Sequence, residues 1–286
     1  MTKSARLTIA IILVASFILL QACTSNETAP AFSEQRGSFS FSGNSFHVQY
    51  FGENNDMQIP VPEPVRQCLM TDDQEIEPFD VFVHPRVTAF VSGGNDDNAA
   101  AATVYSTVDE GKNWSGAALP KVREQQLDNN SAGNLFSSVS IGFTSASDGW
   151  IIGSLYHGMG NQENFVYISH DFGKSWEEVN NINDQYARVL LFGLFTTERI
   201  GFMCFRFELD TNPLPMYRTA DGGMTWDAVA MPEIDMPEDS YYQFSALQPQ
   251  GDTYRLLLSN PLSADDTATL ISSDFGATWS IENEKR

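Results

Sequence analysis

Apolar residues follow two patterns along the chain. The first is one block, Leu7 to Leu20, apolar almost throughout and preceded by Lys3 and Arg6. Its 14 residues are too few for a comfortable membrane helix, which needs about 20, and they fit the apolar core of an export signal. The second pattern begins near Ser38, where short apolar runs are bounded by Gly, Asp, Asn, Ser and Pro. Runs of this length with aromatic and β-branched residues read as strands. They group in fours. One group has strands at Phe79 to Val83, Val87 to Ser92 and Ala102 to Thr107, closed by a fourth after Trp114. The next has Ser138 to Phe143, Trp150 to Gly153, Phe165 to Ser169 and Trp176 to Val179. A third has Arg188 to Leu194, Ile200 to Phe205 and Met216 to Thr219. A fourth has Tyr241 to Leu247, Tyr254 to Ser259 and Thr267 to Ser272. Weaker pieces at Ser38 to Phe41, Phe46 to Phe51 and Gln58 to Val61 precede them.

The same octet lies between the third and fourth strands of each group. It reads TVDEGKNW at 107–114, SHDFGKSW at 169–176, TADGGMTW at 219–226 and SSDFGATW at 272–279. The shared pattern is S/T-x-D-x-G-x-[S/T/N]-W, carried by Asp109, Gly111 and Trp114, by Asp171, Gly173 and Trp176, by Asp221, Gly223 and Trp226, and by Asp274, Gly276 and Trp279. Each residue type has a mechanical reading. The carboxylate accepts backbone N–H groups ahead of it and closes a turn, and the Ser/Thr hydroxyl bonds across the same turn. The glycine supplies a positive φ. The Trp opens the next strand and buries a large flat surface between units.

This octet resembles the Asp-box (BNR) repeat of sialidase-like, sortilin-like and photosystem II assembly-factor-like propellers. The resemblance is clear over 79–283 and weak over 37–78. It implies an all-β fold, a β-propeller of four-stranded antiparallel blades. Asp-to-Asp steps of 62, 50 and 53 residues give five blades if 37–72 is a degenerate first blade, or four with an N-terminal extension. It also assigns the box residues a structural role.

Composition then narrows the partner. The chain has 37 Asp+Glu against 16 Lys+Arg, a net charge of -21, which argues against nucleic acid. The apolar N-terminal block ends Leu20-Gln21-Ala22-Cys23, which resembles a bacterial lipobox. It implies residues 1–22 as a lipoprotein signal peptide, Cys23 as the lipidated residue, 23–36 as a tether and 37–286 as the propeller. Thr24 lacks the acidic signal for inner-membrane retention, which by resemblance points to the outer membrane of the envelope. Cys68 and Cys204 are candidates for a disulfide in an oxidising compartment.

In an up-and-down sheet the turns after strands one and three share a face, and the loop after strand two lies on the other. The boxes therefore occupy one face, and the irregular second-to-third-strand loops occupy the opposite one, where loops on a rigid scaffold commonly bind ligands. Candidates there are Tyr156 and His157, with Asp96, Asp97, Asp210, Asp265 and Asp266. The acidic groups could take Ca²⁺ through oxygen ligands. No cofactor and no other metal is called for. The sialidase arginine set and its Arg-Ile-Pro motif find no match, and no catalytic residue is assigned. The reading is a non-catalytic, lipid-anchored envelope protein that binds a protein or peptide and assists assembly. The alternative is a carbohydrate-active or glycan-binding propeller.

Overall fold

The computed structural model describes residues 37–42, 45–50, 56–60, 70–71, 74–75, 80–92, 102–120, 136–156, 162–179, 183, 186, 188–206, 215–234, 242–260 and 263–282. Every regular element among them is a β-strand. β1 (Gly37–Ser42), β2 (Ser45–Tyr50) and β3 (Asp56–Pro60) form a three-stranded antiparallel sheet. β4 (Met70–Thr71) and β5 (Gln74–Glu75) pair as a short ribbon. Four four-stranded sheets follow, each an antiparallel meander in sequence order. The first holds β6 (Asp80–His84), β7 (Val87–Ser92), β8 (Thr103–Thr107) and β9 (Ser115–Ala118). The second holds β10 (Phe136–Phe143), β11 (Gly149–Tyr156), β12 (Gln162–Ser169) and β13 (Glu177–Val179). The third holds β14 (Leu190–Phe195), β15 (Gly201–Phe205), β16 (Met216–Thr219) and β17 (Asp227–Ala228). The fourth holds β18 (Gln243–Gln250), β19 (Thr253–Asn260), β20 (Ser263–Ser272) and β21 (Ser280–Ile281). This is the blade pattern of a β-propeller.

The core is a series of slabs between consecutive sheets. On β11, Ile151 joins the slab shared with the first sheet, while Trp150 and Ile152 join the slab shared with the third. On β15, Phe202 and Cys204 face the fourth sheet, while Met203 and Phe205 face the second. Both strand faces are therefore buried, which explains why these strands read as unbroken apolar runs rather than alternating ones. The Cys204 thiol is free and buried, and burial pushes its pKa up. Cys68 lies outside the described residues.

Each box closes as a ring of hydrogen bonds. In the fourth, the Ser272 hydroxyl donates to Asp274 Oδ1 at 2.7 Å and accepts the Gly276 N–H at 2.9 Å. Asp274 Oδ1 also accepts the Thr278 N–H at 2.9 Å, and Oδ2 accepts the Thr278 hydroxyl at 2.7 Å. The other three boxes repeat the ring with Thr107, Ser169 and Thr219 in the place of Ser272. The Gly276 φ is +77°, and a Cβ there would lie 2.4 Å from the Phe202 ring of the preceding sheet, so only glycine fits.

A second left-handed residue precedes each of three of these glycines: Glu110 (φ 60°), Phe172 (68°) and Phe275 (57°). In the third box Gly222 takes this place at 78°. The pattern x-G concealed this strained position. Its backbone does specific work. The N–H groups of Phe172, Gly222 and Phe275 donate to carbonyls of the first turn of their own sheet, at Ser147, Arg199 and Asp252. The Phe172 carbonyl accepts the Ser106 hydroxyl of the preceding sheet at 3.0 Å, and the Phe275 carbonyl accepts Arg218 Nε at 2.8 Å. These three box tips thus staple their own sheets, and those at Phe172 and Phe275 also reach across to the sheet before.

The box tryptophans complete the slabs. Trp176 packs with the first-to-second cluster, Trp226 with the second-to-third and Trp279 with the third-to-fourth. Trp226 is 3% exposed and meets Phe195 edge-on at 6.0 Å. Trp226→Ala should therefore lower stability by about 3–5 kcal/mol, the usual cost of truncating a buried aromatic. Urea unfolding checks this, and an unchanged midpoint would contradict the inter-sheet role.

Candidate functional site

The first strand of each sheet has a hydrogen-bonded partner on one side only among the described strands, and β1 with β6, β6 with β10 and β10 with β14 lie side by side. Three of them carry a bulge at the same place, one residue after a buried side chain. The register shifts between Phe136 and Ser138, between Leu190 and Phe192, and between Phe244 and Ala246. Ser137, Leu191 and Ser245 are the extra residues. A bulge re-aims side chains locally and leaves backbone groups outside the ladder.

Between β14 and β18 these edges border a groove of about 410 Å³. Its walls are Leu191, Phe192 and Leu194 on one side and Gln243, Phe244, Ser245, Ala246 and Leu247 on the other. Phe192 meets Phe244 edge-on at 5.9 Å on its floor. No lining side chain is titratable, so the groove offers apolar contact and hydrogen bonds but no proton donor or base. The apolar run Leu190 to Phe195 is visible in the sequence, but its bulge, and hence Leu191 as a wall residue, is not.

On the loop face, residues expected to form a site divide. Asp96, Asp97, His157 and Asp210 lie outside the described residues, as does Cys23. Tyr156 ends β11, paired with Gln162, instead of beginning a loop. The expected loop at 260–266 is largely strand. Asn260 pairs with Ser263 and Ser259 with Thr267, so Ala264, Asp265 and Asp266 bulge from β20. Asp266 Oδ1 accepts the Tyr242 hydroxyl at 2.5 Å, and Oδ2 accepts Asn260 Nδ2 at 2.9 Å. The bonds from Asn260 and Tyr242 hold the Asp266 carboxyl below its usual range. The bond to Asp266, with burial, pushes the Tyr242 phenol up to about 12. A phenol so held is a donor, not a nucleophile, and sequence spacing gave no sign of this trio. Among the described residues no group of three His, Cys, Asp or Glu is placed to hold a metal ion.

The box face carries one further cluster. Asp148 accepts from Ser147 Oγ at 2.8 Å and from Ser145, and its Oδ1 lies 2.9 Å from His170 Nδ1. Burial raises the Asp148 pKa, but the bonds from His170, Ser145 and Ser147 together bring it below the usual carboxylate range. The cluster rigidifies the turn beside the second box.

That box is where sequence comparison finds its match. Residues 167–178 match the sequence model of the BNR/Asp-box repeat. No curated protein matches the chain by sequence. Among solved structures, YCF48 from Cyanidioschyzon merolae is similar at 15% identity and TM-score 0.49, over 85% of this chain and 70% of that one. A polysaccharide lyase of family PL25, an ulvan lyase, is similar at 12% identity and TM-score 0.45, over 70% of this chain and 52% of that one. A GH43 β-1,3-galactosidase, BT0265, is similar at 14% identity and TM-score 0.44, over 74% and 47%. This chain thus spans about half of each of the two enzymes.

Among the described residues, the first sheet also holds a carboxylate in the opposite electrostatic state from those of the boxes. Asp80, at the start of β6, accepts the Ile141 N–H of β10 through Oδ2 at 2.8 Å and so links two first strands. Burial raises its pKa from 3.8 to about 6, only partly offset by the bonds from the Ile141 and Val81 backbone. The folded pKa exceeds the unfolded one, so this group's contribution is full below about pH 4 and is lost as pH rises toward 6. The loss amounts to about 3 kcal/mol for a shift of this size. The box carboxylates act oppositely. Bonds from the Thr278 N–H and hydroxyl bring Asp274 down to about 2, so its contribution is lost as pH falls from about 4 to 2. Asp80→Asn should flatten the decline in unfolding free energy between pH 4 and 6 and leave the acid limb unchanged. An unaltered profile would show that Asp80 is not the titrating group.

Proposed function

We propose that this chain is a non-catalytic, lipid-anchored envelope protein whose propeller takes an extended peptide segment of a partner protein, as an assembly factor would. The groove between β14 and β18 carries this reading. It combines apolar walls, edge strands with a partner on one side only among the described strands, and no acid or base. An extended chain can add its backbone to such an edge while its apolar side chains enter the groove. The net charge of -21 favours a basic or neutral partner over an acidic one. The anchor reading rests on Cys23 and the apolar block before it.

Leu191→Asp places a charge on the groove wall, at a part-buried residue packed against the third-to-fourth slab, and Ser245→Asp places one at an exposed wall residue. Binding of peptides selected from a displayed library should weaken at least about tenfold in both, because an unpaired charge must be desolvated against apolar side chains. Ser245→Asp should leave the melting temperature within a few degrees, which separates lost binding from lost stability. Equal binding by Leu191→Asp and the unsubstituted protein would overturn the groove as the site. For the anchor, Cys23→Ala should move the protein from the membrane to the soluble fraction, and retention in the membrane would contradict it.

A further inference from the structure

The exposed large apolar side chains of the described residues are Val108, Phe172, Met224, Phe275 and Ile281. Four of them sit inside the four Asp boxes, one per box, and Ile281 follows the last box by two residues. Phe172 and Phe275 are 40% and 43% exposed, and both occupy the left-handed position, where a non-glycine residue is strained. Ring stability does not require an aromatic there. Glu110 and Gly222 make the same turn in the other two boxes. The turn itself thus does not require the rings, although Phe275 meets Tyr254 edge-on at 6.4 Å.

One cationic side chain accompanies them closely. Lys174 stands over the Phe172 ring at 5.7 Å, while Lys112 on the first box is 74% exposed and pairs with Glu110 at 3.8 Å. An exposed ring with an ammonium group beside it matches the interface of a phospholipid bilayer, where rings enter the headgroup boundary and ammonium groups stay in water.

The path of the chain supplies the second argument. Gly37 begins β1, and a Cβ on it would lie 2.4 Å from Val83. Val83 is next to the last residue of β6, immediately before the turn at Pro85 and Arg86. That turn is on the box face, so the chain enters the propeller from the box side. Cys23 lies fourteen residues upstream of Gly37. Even fully extended, those residues reach no more than about 50 Å. Tethering at such range gives an effective concentration on the order of millimolar, so weak insertion by a few side chains suffices to orient the domain.

We infer that the Asp-box face lies against the phospholipid surface through Phe172, Phe275, Val108 and Met224, with Lys174 at the headgroups. The groove between β14 and β18 and the loop face are then presented away from the membrane. This rests on the lipid-anchor reading. It does not depend on what the groove binds.

The test replaces Phe172, Phe275 or, on the opposite edge, Glu163 with the photoreactive p-benzoylphenylalanine in the full chain, followed by irradiation of envelope membranes and mass spectrometry of adducts. Positions 172 and 275 should yield phospholipid adducts at least about tenfold above position 163, because bilayer contact is confined to the inserted face. The same substitutions in a Cys23→Ala background should lose them. Lipid adducts at 163, or protein adducts at 172 and 275 in membrane-bound material, would overturn the face assignment while leaving the anchor intact. Recovery of the Cys23-containing chain in the soluble fraction would overturn the anchor and this inference with it.

Discussion

The tip of each Asp box concentrates the hydrogen bonds on which the sheets depend. Two consecutive residues turn left-handed there, at Glu110–Gly111, Phe172–Gly173, Gly222–Gly223 and Phe275–Gly276. The conformation costs free energy at the non-glycine positions, and it persists because the surroundings over-determine it. The glycine N–H is held by a buried hydroxyl in all four, and at Phe172, Gly222 and Phe275 the preceding N–H is held by the first turn of the same sheet. At Phe172 and Phe275 the carbonyl is held by the sheet before. With the turn fixed in this way, the tryptophan three residues on from the glycine is delivered to the slab between sheets. Trp176 and Trp279 seal the arrangement by donating Nε1–H to the carbonyls of Gly173 and Gly276, each at 3.1 Å.

Much of this was legible in the sequence for a physical reason. Both faces of the middle strands are buried, so apolar runs stand out, and a turn that needs Asp, Gly and a hydroxyl at fixed offsets leaves a repeating signature. Strands such as β7 and β16 fall where the runs place them. Three things were not legible. The left-handed residue before the glycine carries no composition signal, because Glu, Phe and Gly all occupy it. Bulges in β10, β14 and β18 depend on register between strands, which a linear pattern does not encode. The hairpin that absorbs 260–266 looked like a polar loop because Asp265 and Asp266 sit in its bulge.

The most conspicuous residues are therefore architectural, and the groove proposed to bind a peptide is lined by ordinary ones. Leu191 and Ser245 would attract no notice as chemistry. They matter because bulges bring them to an edge with no hydrogen-bonded strand among those described. The boxes hold sheets together and carry apolar tips outward, while the edges of β14 and β18 offer an apolar groove.

Native-state hydrogen exchange tests the central claim most directly. The amides of Gly111, Gly173, Gly223 and Gly276 lie in surface turns, where exchange would ordinarily be fast. If the boxes fasten the sheets, these four amides should exchange only through global unfolding, with opening free energies equal to that from urea denaturation. Exchange at the rate of an open turn, with the strand amides still protected, would show that the sheets hold together without them.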